Sequence, residues 1–410
     1  MRTLPDFDLS DPNLYAAGDP HAVWAWLREH APVYRHRQRT GPGYWVITKH
    51  EDVRAISRDT RRFISSGGTS TMDLEHGDTA SPEYQMFQGT LVITDPPRHT
   101  KLRALLNKAF TPQAVARVEP VIADVLGRLI GEAAQEREFD FVGDIASRLP
   151  YDVICELVGI PRQDRRALFD AIVPIIGSHV GHEPDEEGGP MQAALALVDY
   201  LREQIEARRV GPREDLISGL VLAEVDGERL GMFDMLAMVI LLFVAGVETT
   251  INAISGGLQA FFDHPEQRMR VVTDPSLWPI AVEEILRWVS PTMVSMVRTA
   301  TTDVELRGQR IAAGDKVTLW YGAANRDADV FPDPQVFDVG RSPNDHLAFG
   351  HGAHFCLGAS LARLEIRTTL EAILRTLPGL EPAGEPERLR SNILAGYERM
   401  PVRANRPRTA

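Results

Sequence analysis

Cys356 is the residue of this chain whose surroundings best suit it to chemistry. It lies in Phe349-Gly350-His351-Gly352-Ala353-His354-Phe355-Cys356-Leu357-Gly358, a glycine-rich loop that leads directly into a helical pattern. A cysteine at a helix N-terminus receives positive potential, which favours thiolate over thiol. Gly350, Gly352 and Gly358 permit unusual backbone angles and let the backbone approach a flat ligand, while Phe349 and Phe355 can shield the sulfur from water. Those are the needs of a thiolate that coordinates haem iron. Other readings of a cysteine fit less well. Cys155, within Val153-Ile154-Cys155-Glu156-Leu157, has the setting of a small buried hydrophobe. A zinc site could draw on His351 and His354, but no CxxC pair completes a tetrahedral set. A cysteine hydrolase with a histidine base would need an elbow motif that the sequence does not supply.

Three further clusters could do chemistry. Ala245-Gly246-Val247-Glu248-Thr249-Thr250 places an acid and two alcohols in the most apolar helical stretch of the chain. The threonines could simply bond back to the carbonyls four residues earlier, and Glu248 could face water. The functional alternative fits better: Ala245 and Gly246 leave room for a diatomic ligand, and Thr249 offers a hydroxyl beside it. Glu284 and Arg287 are three apart and share a helix face. On a surface such a pair contributes little, but Ile285, Leu286 and Trp288 argue for burial, where an unpaired charge is expensive. His99 and Arg103, four apart, also share a face, which a solvated basic surface would equally explain.

The elements that must hold these groups are mainly helical. Tyr44–Thr48 is β-rich and follows the turn signal Gly41-Pro42-Gly43. Asp95-Pro96-Pro97 reads as a helix start with Asp95 as its cap. Helical spacing then dominates over Ala114–Ala134, Phe141–Gly159, Asp164–Ile176, Met191–Arg209 and Met232–Phe262. The acidic, glycine-rich His179–Pro190 interrupts it as a connector or a lid. After Pro291 the segments Val297–Leu306 and Val317–Tyr321 are β-rich, and a last amphipathic helix runs over Ala359–Thr376. The expected fold class is mainly α with a small β portion (α+β), in a single domain over residues 1–410.

Composition narrows the function classes. At 44% hydrophobic and 25% charged residues the chain is an ordinary globular one. A formal net charge of -13 disfavours nucleic acid as a partner. Two distant cysteines, Cys155 and Cys356, suit a reducing compartment rather than a disulfide framework. The N-terminus lacks the apolar stretch of a signal peptide, and the run Met235–Gly246 is too short to span a bilayer, so the expected location is cytoplasmic, with no membrane span.

The loop pattern FxxGxxxCxG over Phe349–Gly358 resembles the haem-binding signature of the cytochrome P-450 family, specifically its soluble bacterial members. The likeness covers nearly the whole chain, because the other clusters follow the family's motif order. It implies the family's fold, with haem b between a long distal helix and the proximal cysteine loop and helix, and Cys356 as the axial metal ligand. Phe349, Gly350, Gly352, Ala245 and Gly246 would then border the cofactor. Glu284 and Arg287 resemble the family's ExxR element, for which Arg341 would complete a structural triad. Glu248-Thr249 resembles its oxygen-activation pair, Thr249 bonding activated dioxygen and Glu248 relaying protons. His99, Arg103, Arg298 and His354 match positions that bind haem propionates.

The implied activity is a monooxygenase that hydroxylates or epoxidises an apolar small molecule such as a steroid, terpenoid, fatty acid or polyketide intermediate. The same likeness implies a pocket lined by residues 67–91, Val244, Val247, Met293, Met296, Ile393 and Leu394, with His179–Pro190 as its lid. No GxGxxG fingerprint is present, so electrons would come from a ferredoxin and its reductase, with Lys101, Lys108 and Arg363 as basic contacts. Oxidative tailoring of a carrier-bound substrate and non-catalytic haem sensing are the competing readings.

Overall fold

The computed structural model describes residues 8–17, 20–38, 41–66, 68, 89–169 and 189–404. The expected lid lies almost wholly outside the described residues, as do most of the pocket loop 67–91 and the end of the helix expected over Asp164–Ile176. Nine helices carry the argument: α1 (Pro20–His30), α2 (His50–Arg58), α3 (Arg98–Asn107), α4 (Pro112–Ala133), α5 (Arg148–Val158), α6 (Gly189–Val210), α7 (Met232–Asp263), α8 (Trp278–Val289) and α9 (Ala359–Thr376).

Their ends follow local chemistry. Thr111 accepts a hydrogen bond from the Ala114 N–H, and Pro112 opens α4 without wasting a donor. Pro265 ends α7, forcing His264 out of helical geometry to φ -129° and ψ 70°. Asp95 behaves otherwise than expected. No side chain caps α3, and the Asp95 carboxylate instead accepts the N–H groups of Ser65 and Ser66, each at 2.8 Å.

The β portion is small. Strands β1 (Val33–His36), β2 (Tyr44–Ile47), β3 (Phe63–Ile64), β5 (Arg298–Ala300) and β6 (Lys316–Leu319) form one sheet in the order β1-β2-β6-β5-β3. Only the β2–β6 pairing is parallel, with Val317 opposite Trp45. Strands β4 (Glu138–Asp140), β7 (Leu380–Pro382) and β8 (Pro401–Ala404) make a second sheet in the order β7-β8-β4. The helical layer and the five-stranded sheet each have their own buried apolar cluster.

At 32 residues, α7 is long and apolar enough by length and composition to cross a membrane, a property that buried core helices share. It is packed as a core helix instead. Its buried side chains run from Met235 to Phe261, and it lies against α5, α8 and α9.

The meander before the cysteine loop is held by one carboxylate. Glu284 on α8 is fully buried and accepts a two-pronged bond from Arg287 at 2.7 and 2.8 Å. Arg341 Nε adds bonds of 3.1 and 3.3 Å, Asn344 Nδ2 one of 3.1 Å, and the Asp338 N–H one of 2.9 Å. Arg287 spends its remaining donors on the carbonyls of Asn325, Pro334 and Val336, each at 3.0 Å. Removing the carboxylate leaves two arginines with no counter-charge in a dry site. Glu284→Gln is therefore expected to lower unfolding free energy by about 3–5 kcal/mol, read as a shifted denaturation midpoint. A loss below about 1 kcal/mol, the scale of an exposed pair, would contradict this account.

Candidate cofactor and catalytic site

The cysteine loop closes on itself. Cys356 N–H donates to the Phe349 carbonyl at 2.8 Å, and Phe355 N–H to the Gly352 carbonyl at 3.1 Å. Gly350 and Gly352 adopt φ values of +69° and +72°, the left-handed region in which side chains are strained. Gly352 also has no room for one, because a Cβ there would lie 2.4 Å from the Ser57 carbonyl at the end of α2. Gly358 departs from expectation. At φ -86° its backbone is ordinary, and its contribution is an amide that donates to the Cys356 sulfur.

The electrostatics around Cys356 also differ from the expectation of a thiolate set up by the helix alone. Burial pushes the thiol above its ordinary value, and the Gly358 amide, Arg103 and Arg363 offset this only in part. The protein by itself thus favours the thiol, and a bound metal cation reverses that preference by deprotonating its ligand outright. Phe349 is half-buried under the Arg363 guanidinium, 4.5 Å from the ring centre, whereas Phe355 is 40% exposed and gives less shielding than expected.

Four cationic or imidazole groups converge beside the loop. His99 and His354 face each other with ring centres 4.2 Å apart. Arg103 donates to the Phe355 carbonyl at 2.6 Å, and Arg298 is 7% exposed on β5. Burial above all, together with Arg298, His99 and Arg103, lowers the His354 pKa to about 2. His99 Nε2 is buried with no hydrogen-bond partner, and among the described residues no carboxylate lies within ion-pair distance of Arg298. A buried cluster with spare donors and excess positive charge fits a flat group that carries carboxylates. The residues therefore fit haem with its propionates.

In the middle of α7, Val244, Ala245, Gly246 and Thr249 form a patch of incompletely buried positions. Glu248 is 9% exposed, and burial pushes its carboxyl up to about 8. Both alcohols bond back along the helix, Thr249 to the Ala245 carbonyl at 2.7 Å and Thr250 to that of Gly246 at 2.8 Å. Gly246 needs correction as a residue that leaves room for a diatomic ligand. A Cβ there would lie 2.8 Å from Ile154 Cδ1, so its missing side chain serves the packing of α7 on α5. Ala245 is exposed.

Two of the expected pocket residues belong to the core. Val247 is 2% exposed and packs in the cluster of Tyr151, Ile154 and Phe243, on the α5 side of α7. Met293 is 3% exposed and packs with Trp24, Leu27 and Trp320, in the same buried cluster as its neighbour Val294. Val244, Met296, Ile393 and Leu394 remain partly exposed. Backbone bonding ties their segments together: Met293 N–H donates to the Ile393 carbonyl at 2.8 Å, and Thr292 bridges Leu394.

Sequence reasoning missed the acid beside the ExxR glutamate. Glu283 takes both prongs of Arg363 at 2.7 Å and contacts His346 at 3.1 Å, which hold its carboxyl down to about 2 against the effect of burial. Arg363 is therefore no free basic contact, and Lys101 is likewise occupied by Asp226. Lys108 is exposed. A cleft of about 200 Å³ lies beneath the loop, lined by Arg54, Glu283, His346, Phe349, His351 and Phe355 among others.

The cytochrome P450 family model matches residues 277–392, which include the α8 glutamate, the meander and the cysteine loop. The chain is 40% identical to a methyl-branched lipid omega-hydroxylase of Mycobacterium tuberculosis, across 97% of this chain and 95% of the relative. It is 37% identical to a steroid C26-monooxygenase of Rhodococcus jostii, across 97% and 85%. Among solved structures, a Mycobacterium marinum cytochrome P450 in complex with pseudoionone superposes with a TM-score of 0.88 at 35% identity, covering 98% of this chain and 99% of that one. Together with the thiol loop and the cationic cluster beside it, these likenesses identify the chain as a member of the cytochrome P450 family, a monooxygenase whose cofactor is haem with a cysteine thiolate as axial ligand.

Proposed function

We propose that this monooxygenase hydroxylates an apolar, methyl-branched substrate, a lipid or a steroid, at a terminal carbon of its chain. The observation that carries the reading is the 40% identity across 97% of the chain to a methyl-branched lipid omega-hydroxylase. The likeness to steroid C26-monooxygenases supports it. So does the uncharged character of Val244, Met296, Ile393 and Leu394, a lining that binds by apolar burial and adapts through methionine. In this reading Cys356 is the axial ligand, and His99, Arg103, Arg298 and His354 hold the propionates. The whole chain acts as one catalytic domain in the cytoplasm, with a ferredoxin and its reductase as electron donors that approach the exposed Lys108 and Phe355.

Haem bound through a thiolate supplies reductive activation of O2 and transfer of one oxygen atom to carbon. The protein supplies protons and exclusion of water. Glu248 keeps its proton to about pH 8 because burial disfavours the carboxylate. It can donate at neutral pH and recharge from solvent, while Thr249 sits next to it in sequence and holds a hydroxyl over Ala245. Both side chains directly follow the apolar run Met235–Gly246 of their helix, which limits leakage of protons on that side.

Substrate class is tested by titrating the protein with methyl-branched fatty acids and with steroids, reading the spin-state shift, and locating the new hydroxyl by mass spectrometry. Terminal hydroxylation of either supports the proposal, and oxidation confined to ring or mid-chain carbons sinks it. Cys356→Ser should abolish the strongly red-shifted Soret band of the reduced, carbon monoxide-bound protein. Because the Glu248 pKa is raised, its donor form is complete below about pH 8 and is lost above it. Coupled product formation should therefore fall as pH rises through 8, and Glu248→Gln should flatten that profile and slow turnover about 10- to 100-fold. Thr249→Ala should keep substrate binding but divert electrons to peroxide, and unchanged coupling would remove Thr249 from the proton route.

A further inference from the structure

Ser65 lies just beyond β3 and is 2% exposed, and no sequence motif singles it out. Its hydroxyl sits 3.0 Å from Nε2 of His354, a residue 289 positions away. Its backbone N–H donates to one oxygen of Asp95 at 2.8 Å, and the Ser66 N–H to the other at the same distance. The Asp95 carbonyl in turn accepts the His99 N–H at 2.9 Å. Strand β3 pairs with β5 directly beside Arg298, with Ile64 opposite Thr299. One serine therefore connects the strand next to Arg298, the first turn of the helix that carries His99, and the imidazole of His354.

Tautomer chemistry gives that hydroxyl a task. A neutral imidazole has one donor nitrogen and one acceptor nitrogen, and the bond made by one determines what the other offers. If the Ser65 hydroxyl donates to Nε2, the proton resides on Nδ1, which becomes a donor. If Nε2 donates to Ser65, Nδ1 is an acceptor and repels a carboxylate. We propose that Ser65 is a positioning residue for the cofactor, fixing the His354 ring and the tautomer whose free nitrogen donates to a haem propionate. The inference rests on the haem reading given above.

The test uses the haem-loaded full-length protein and measures transfer of haem to excess apomyoglobin. Ser65→Ala should release haem about fivefold faster, the fold-change expected on losing one ordinary hydrogen bond. Ser65→Thr, which keeps the hydroxyl, should restore the wild-type rate. Ser66→Ala, whose N–H shares the same aspartate, should match wild type. A midpoint reduction potential that moves in Ser65→Ala and returns in Ser65→Thr would support the proposal, since a purely packing role would not shift it. Equal release rates and potentials in wild type and Ser65→Ala would overturn it, even with the thiolate spectrum intact. If the wild type itself takes up no haem with that spectrum, the haem reading and the proposal fall together.

Discussion

The buried carboxylate of Glu284 is the point on which the cofactor side of this molecule depends. It gathers two guanidinium groups, an amide and a backbone N–H. Arg287 and Arg341 pass the constraint on to the carbonyls of residues 325 and 332–336. That stretch has almost no regular structure, so its backbone groups lack the partners a helix or sheet would provide. Charged donors replace the ladder. The cysteine loop follows within a few residues, and Glu283, next in sequence to Glu284, reaches it through Arg363. Two consecutive acids on α8 thus hold the two ends of the segment that carries the thiol.

Across the site the electrostatics are deliberately incomplete. Arg103, Arg298 and two imidazoles crowd the propionate side with Asp95 the acid that acts on Arg298 and His99, and the thiol is held above its ordinary range. Each imbalance is costly in the protein alone and is relieved by a group that brings carboxylates and a metal cation together. The acid on the distal helix differs in that its raised pKa has burial as its only cause.

Much of this was legible in the sequence, for identifiable reasons. The long helices were readable because their apolar spacing is strong: Pro112–Ala133 and Ala359–Thr376 lie within two residues of their expected bounds. The Glu284–Arg287 pair was readable because charges three apart in apolar surroundings must find one another, whereas Arg341 came only through the family resemblance. Details set by tertiary approach were not. Nothing local distinguishes a glycine that makes room for a ligand from one that makes room for Ile154, and Gly246 is of the second kind. Met293 and Met296 are alike in sequence and differ in what the rest of the fold packs against them. Arg363 was expected to be a basic partner contact, and its pairing with Glu283 spans 80 residues, beyond any local signal.

The bond from Thr249 to the Ala245 carbonyl gives that hydroxyl a direction. A hydroxyl has a single hydrogen, and here the helix backbone already holds it. What the side chain turns toward the cavity is lone-pair density alone. A bound molecule that seeks a proton from Thr249 finds none, whereas one that carries its own proton finds an acceptor. In the proposed reading, Thr249 would therefore act toward a ligand as an acceptor and not as a donor.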